Sequence, residues 1–263
     1  MDLCFGLTKR PKVIQKTENM DRKRFLEACA HIAQKERRRD IIGTLSEKSI
    51  HAVLKEYYEP KEFNQEIKLG SFYADIVGEN GIIEIQTHQL FKLQKKLDIF
   101  LEYSPVTVVH PIISETVIVY TDEKGNKIRK RKSPLKATVY DALFELYSIK
   151  YTLDNPNMRV IIPLLRAEDH RYQKITKHGN VKYLKGDKIP FDIEEELVLS
   201  CPDDYRAFLP DGLKDEFCSD DFSKAAKINI SCARICLNIL CYLKIVEKQG
   251  KKGNKIIYRI ADI

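Results

Sequence analysis

Apolar and polar positions alternate along this chain in two rhythms, and the change from one to the other marks out its elements. Phe25, Leu26, Cys29, Ile32 and Ala33 recur at helical spacing and predict a helix over Asp21 to Arg39. After the breakers Gly43 and Thr44, the apolar positions 50, 53, 54 and 57 predict a second helix over 47–58, with Ser46 as its N-cap and Pro60 just beyond it. The period then shortens to two. Strands are expected at Phe63 to Leu69, twice within Phe72 to Gln86 as a hairpin closed by Gly78-Glu79-Asn80-Gly81, and at Val106 to Val109. The amphipathic, Lys-rich segment Leu90 to Tyr103 lies between the last two.

Further along, a hairpin is expected over 115–131, with its first strand at Thr116 to Tyr120 and its turn at Asp122 to Asn126. A helix follows over 138–149, with Val139, Leu143, Leu146 and Tyr147 on one face, then a strand at Arg159 to Leu165 that extends the sheet. Between Ala167 and Pro190 the composition turns polar and charged, with turns at Gly179 and Gly186, and reads as a β-ribbon or connector. The last segment predicts a short helix at Asp220 to Lys227 capped by Ser219, and a longer one capped by Ser231 and reaching Lys244. Strands at Ile245 to Lys248 and Lys255 to Arg259 then flank the loop Gln249 to Asn254. Residues 1–20, without periodicity, read as a flexible leader; 21–166 as an α/β domain; 167–195 as the connector; and 196–263 as a C-terminal domain. No internal repeat or low-complexity block is present.

Polar residues inside the central hairpin point to chemistry. Asp75 stands in its first strand, and Glu84 and Gln86 in its second with one residue between them, so the latter two share a face. If Asp75 pairs near Glu84, two carboxylates and an amide converge in an otherwise apolar sheet. Burying them is costly unless something compensates, and a divalent cation is the usual compensation.

The spacing Asp-x8-Glu-x-Gln resembles the active-site signature of the PD-(D/E)xK nuclease superfamily, and the order helix, three strands, helix, strand over 44–112 resembles its core. The runs Glu47-Lys48-Ser49-Ile50-His51, Ile83-Glu84-Ile85-Gln86-Thr87 and Val109-His110-Pro111-Ile112 look like an uncharacterised bacterial subfamily that carries a C-terminal winged helix. The resemblance implies a restriction-endonuclease-like α/β core, a mixed sheet flanked by helices, plus a C-terminal winged helix-turn-helix domain. It implies Asp75 and Glu84 as ligands of Mg²⁺ or Mn²⁺, Glu47 as a further metal-side acid, and Gln86 where the superfamily normally places a Lys. Gln86 is neutral, so Lys92, Lys95 or Lys96 on the next helix are candidates to reach over in its stead. Glu66 is an alternative third acid. His51, one helical turn beyond Glu47, and His88 could face the same cleft, although a satisfied half-buried histidine is the commoner outcome.

Charge extends this picture. The net +7 over 263 residues favours a polyanionic partner, although ribosomal and membrane-surface proteins share that balance. Five cations crowd into Lys127-Ile128-Arg129-Lys130-Arg131-Lys132, and Arg129, Lys130, Arg131 and Lys132 are expected to contact DNA phosphates without reading sequence. The cluster Lys35 to Arg39 reads equally as a solvated helix end and as phosphate contact. In the C-terminal domain, Arg234 and Asn238 are placed for base edges, and Lys251 and Lys252 in the wing for phosphates.

The seven cysteines contain no CxxC pair and stand in no regular framework, which argues against a disulfide scaffold or a zinc site. The sequence has neither a secretory h-region near Met1 nor any run of about 18 apolar residues, and predicts a soluble, cytoplasmic protein that does not enter a membrane. The leading expectation is a metal-dependent nuclease cleaving DNA phosphodiester bonds, positioned by its winged helix; duplex cleavage by one site per chain favours a homodimer. The alternative is a catalytically inactive DNA-binding regulator or scaffold that keeps the nuclease fold. A protein-docking adaptor is a third reading.

Overall fold

The computed structural model describes residues 21–39, 49–123 and 125–262. Helices α1 (Arg22–Arg39) and α2 (Ser49–Tyr58) come first, followed by β1 (Gln65–Leu69), β2 (Phe72–Gly78) and β3 (Gly81–Ile85). Next are α3 (Gln94–Tyr103), β4 (Val106–Val109), β5 (Ile112–Thr121), β6 (Lys127–Lys132), the short α4 (Leu143–Leu146), β7 (Met158–Ile175) and β8 (Val181–Leu199). The chain continues with α5 (Ser219–Ala226), α6 (Ile230–Tyr242), β9 (Val246–Lys252) and β10 (Lys255–Ile260).

The molecule is a mixed α/β fold whose central sheet is flanked by helices. Eight strands form that sheet, in the order β1-β2-β3-β4-β7-β5-β6, with β8 also paired to β7. Strands β3, β4 and β7 run parallel, as do β5 and β7, whereas the hairpin neighbours are antiparallel. Parallel strands covered on both faces need apolar residues at successive positions, and β4 meets that need with Val106, Val108 and Val109 all buried. Along β7, Val160 and Ile162 face one core while Ile161 and Leu165 face the other.

On one face α1 and α2 pack Phe25, Leu54 and Tyr57 against Ile76, Ile85 and Ile161. On the opposite face Leu90, Leu93, Leu97, Phe100 and Leu101 form the apolar stripe of α3 and the 3₁₀ turn Leu90–Leu93 before it. Leu143 and Leu146 join the same core, and so do Phe222 of α5 and Ala233, Cys236, Leu237 and Leu240 of α6. The C-terminal helices therefore share one core with the sheet.

Several boundaries depart from expectation. The strand expected from Phe63 begins at Gln65, after a 3₁₀ turn at Glu62–Asn64. The helix expected over 138–149 is mostly 3₁₀, with α-geometry only at Leu143–Leu146. Segment 167–190 is the β-ribbon of the two readings, made of the outer part of β7, a turn and the first part of β8, but Gly186 lies inside β8 and makes no turn. The loop expected at 249–254 is mostly strand, because Lys252 pairs with Lys255 and leaves only Gly253 and Asn254 to turn. Caps differ as well: Asn229 accepts from the Cys232 N–H at 2.8 Å where Ser231 was expected, and Cys218 precedes α5 in place of Ser219. Ser46 and the leader lie outside the described residues. Among the described residues no helix is long and apolar enough to cross a membrane.

Candidate active site

The site begins with a tight turn. Gly78 pairs with Gly81 across Glu79 and Asn80, and the ladder continues through Val77↔Ile82 and Ile76↔Ile83. Gly81 has φ +107°, and a Cβ there would lie 2.3 Å from the Pro105 carbonyl oxygen, so only glycine fits. One step beyond Ile76↔Ile83, Asp75 and Glu84 come opposite each other, and there the ladder gives way. The Ile85 N–H donates at 2.7 Å to the Asp75 side-chain Oδ2, while β3 goes on pairing with β4 through Ile85↔Val109. Two carboxylates therefore stand where β2 and β3 part.

Their surroundings differ. Asp75 Oδ2 also lies 3.3 Å from His51 Nε2 on α2. Burial pushes the Asp75 carboxyl up, but the hydrogen bond and charge of His51, the Ile85 N–H and the charge of Lys96 outweigh it and leave the carboxyl below its ordinary range. Glu84 is 1% exposed. Burial and then the charge of Asp75 raise its carboxyl to about 7, against the opposing pull of Lys96 and of the Asp75 backbone N–H. Glu84 Oε2 accepts from Lys96 Nζ at 2.8 Å, and the same ammonium donates to the Tyr73 carbonyl at 2.6 Å. The other oxygen, Glu84 Oε1, is buried without a hydrogen-bond partner.

A buried carboxylate oxygen lacking a donor, beside a second carboxylate, is a donor set that suits a hard, oxygen-seeking divalent cation. Asp75 and Glu84 are the residues that would hold it. Among the described residues no group of three or more His, Cys, Asp or Glu is arranged to hold a metal ion, and Glu47, the expected third acid, lies outside them.

The other expected residues separate. Gln86 turns its side-chain amide onto the His88 carbonyl at 2.7 Å, while its backbone carbonyl lies 2.7 Å from Nδ1 of His110, which is 2% exposed and whose pKa burial pushes down. Glu66 pairs with Lys55 at 2.8 Å, its φ of +54° marking a strained strand position. His88 is exposed and contacts Thr87 Oγ1 at 2.9 Å. Of the three candidate lysines only Lys96 reaches the carboxylates; Lys92 and Lys95 are exposed. The helical phase carried that signal, since 93, 96, 97 and 100 share one face of the segment and Leu93, Leu97 and Phe100 are its core residues.

The basic run lies on the fully exposed strand β6 and is divided between its two faces. Lys130 pairs with Glu168 at 2.7 Å and Lys132 pairs with Glu115, whereas the Arg129 guanidinium lies 4.5 Å from the Tyr120 ring centroid. A hydrogen bond from Arg131 lowers the pKa of the Tyr120 hydroxyl. In the C-terminal segment Arg234, Lys251 and Lys252 are exposed. Asn238 is half-buried and accepts from Lys150 Nζ at 2.6 Å, and Tyr242, one turn on, donates to Asp154 at 2.8 Å. That side of α6 is docked on the 3₁₀ segment Tyr147–Thr152 and the turn after it.

Fold and site together define a mixed α/β protein with a lysine-held carboxylate pair at a fork between two strands. The chain belongs to the family described as Domain of unknown function (DUF8091), which it matches over residues 48–200, more than half its length. An uncharacterized protein of Treponema pallidum (strain Nichols) is 26% identical over 226 residues, covering 83% of this chain and 87% of that protein. No solved structure matches.

Proposed function

We infer that this protein is a metal-dependent nuclease acting on DNA, built on a restriction-endonuclease-like variant of the mixed α/β fold. The observation that carries this reading is the Lys96–Glu84 contact beside Asp75: α3 brings the cation that Gln86 lacks. The buried Glu84 Oε1 without a partner adds a ligand position.

In this reading Asp75 and Glu84 hold Mg²⁺ or Mn²⁺, and Glu47 remains the proposed third acid. Such a cation, when bound, lowers the pKa of a water and offsets charge growing on the phosphate oxygens. Lys96 favours the ionised form of Glu84 against burial and the charge of Asp75, and offers its remaining N–H to a phosphate oxygen or the attacking water. His51 holds the Asp75 carboxylate in place. Gln86 would have to leave the His88 carbonyl to orient water.

The order α5, α6, β9, β10 supports a winged helix at the C-terminus. Arg234, Lys251 and Lys252 are its proposed DNA contacts, whereas the Asn238 bond to Lys150 supports a docking role for that side of α6. One observation favours a second reading. With Lys96 already neutralising Glu84, the pair is also compatible with an inactive DNA-binding scaffold in which the lysine stands where a cation would.

Calorimetric titration of Mg²⁺ and Mn²⁺ into wild type and the Asp75→Ala/Glu84→Ala variant, with plasmid cleavage alongside, separates the two. Binding and cleavage both lost in the variant support the nuclease. Identical titrations with no cleavage by wild type support the scaffold.

A further inference from the structure

Beyond Leu165 and Ile193, β7 and β8 leave both hydrophobic cores: no side chain between these positions joins either one. With the distal part of β5 and with β6 they form an arm of four strands. Past Thr121↔Tyr172 the arm narrows to two strands, with Gln173↔Tyr183, Lys174↔Lys182 and Ile175↔Val181 as its last pairs.

Charge is concentrated there. Residues 120–132 and 166–192 hold thirteen Lys and Arg against six Asp and Glu, an excess equal to the +7 of the whole chain. The rest of the protein is therefore close to neutral. The same arm exposes apolar side chains: Ile175 and Val181, each 51% exposed, and Tyr172, Tyr183 and Leu184, each above 40%. The arm touches the helix that carries His51, since Asp187 Oδ2 accepts from the backbone N–H of Ser49, the first residue of α2, at 2.7 Å.

We propose that this arm holds duplex nucleic acid, its lysines and arginines on the phosphates and the Ile175–Val181 tip lodged in a groove. The proposal rests on the nuclease reading for the identity of the polyanion; the charge and shape are its own. A two-stranded ribbon fits the major groove, and apolar wedges flanked by cations are a recurring minor-groove device. An anionic bilayer also attracts positive charge, but a segment lying on a membrane gathers its apolar side chains on one face. Here strand alternation puts Ile175, Val181 and Tyr183 on one face and Tyr172 and Leu184 on the other, next to the pair Lys174 and Lys182. A strand-shaped element contacted from both sides suits the walls of a groove.

The test is fluorescence anisotropy with a mixed-sequence duplex, using the full chain in EDTA so that cleavage plays no part. In the Lys174→Gln/Lys182→Gln/Lys185→Gln variant, affinity drops at least tenfold, and the slope of log K against log salt shrinks by about 2 to 3, at roughly 0.9 per lost phosphate contact. Lys182→Gln alone shrinks the slope by about 0.9. Ile175→Ser/Val181→Ser weakens binding with the slope unchanged. Wild-type affinity and slope in the triple variant overturn the proposal. So does arm-dependent binding to phosphatidylserine vesicles without arm-dependent binding to the duplex. The nuclease reading fails separately: a wild type that binds through the arm yet cuts nothing with Mg²⁺ or Mn²⁺ sinks that reading and leaves the arm standing.

Discussion

Lys96 on α3 donates to Glu84 on β3 at 2.8 Å, and the same ammonium reaches the Tyr73 carbonyl on β2, so one side chain ties the two strands together where their ladder ends. The carboxylate it holds is 1% exposed and faces the negative charge of Asp75. Removing that ammonium would leave a buried acid with only the backbone N–H of Asp75 to favour its charged form.

On the proposed nuclease reading, Lys96→Gln should reduce DNA cleavage by about 100-fold or more, the scale of losing one charge-stabilising donor at a reacting centre. Lys92→Gln and Lys95→Gln, whose side chains are exposed, should stay within a few-fold of wild type. Single-turnover cleavage of a labelled duplex with Mn²⁺ distinguishes the three; equal losses in all would remove Lys96 from its special place.

The Glu84 carboxyl, raised to about 7, must lose its proton before it can ligate a cation. Affinity for Mg²⁺ should fall about tenfold for each pH unit below roughly 7 and level off above it. Calorimetry at a series of pH values reads this directly. A profile flat down to pH 5 would mean that Glu84 is not a ligand.

The same shift has a sign for stability. The folded-state value of about 7 lies above the ordinary carboxyl value of 4.5, so between the two the folded protein keeps a proton that the unfolded chain has released. This residue's contribution is absent below 4.5, turns increasingly unfavourable as pH rises through that window, and is fully unfavourable above 7. Glu84→Gln should raise the melting temperature at pH 8 and change little at pH 4. The gain is bounded by roughly 3 kcal/mol, at about 1.4 kcal/mol per pKa unit, less what the stranded Lys96 takes back. A melting point lowered at pH 8 would contradict the assignment.

Because α5 and α6 share a core with α3, α4 and the sheet, cutting Phe222 to alanine should destabilise the whole molecule by about 3 to 5 kcal/mol. Unfolding followed by circular dichroism and by tyrosine fluorescence should show one coincident transition. Two separated transitions would mean that 196–263 folds as an independent unit.

Much of the site was written locally. A two-residue turn between Gly78 and Gly81 sets the register of β2 and β3, and counting back along the ladder brings Asp75 opposite Glu84. The turn glycine and the alternation of Ile76, Ile82, Ile83 and Ile85 are short-range signals, legible without knowing what covers the sheet. The stripe of Leu93, Leu97 and Phe100 was equally legible, and with it the side of the helix to which Lys96 belongs.

Contacts between distant segments were not. The run Arg129 to Lys132 reads as one basic patch, yet alternation in β6 divides it, and Glu168 and Glu115 take two of its members. Asn238 has an outward-facing helical phase in isolation, but Lys150, 88 residues earlier, packs against it. The polar composition of 167–190 reads equally as a β-ribbon or a connector, and it forms the ribbon because β5 and the rest of β7 and β8 template it from within the sheet.

The sequence by itself therefore determined the alternation of helices and strands, the hairpin register and the meeting of Asp75 with Glu84, since each follows from residues a few positions apart. Only the tertiary structure decided that Lys96 holds Glu84, that α6 docks by its Asn238 side, and that the positive charge gathers on an arm outside both cores. Those outcomes depend on which surfaces the sheet and helices bury against each other, a choice made by packing across the whole chain rather than by any local stretch.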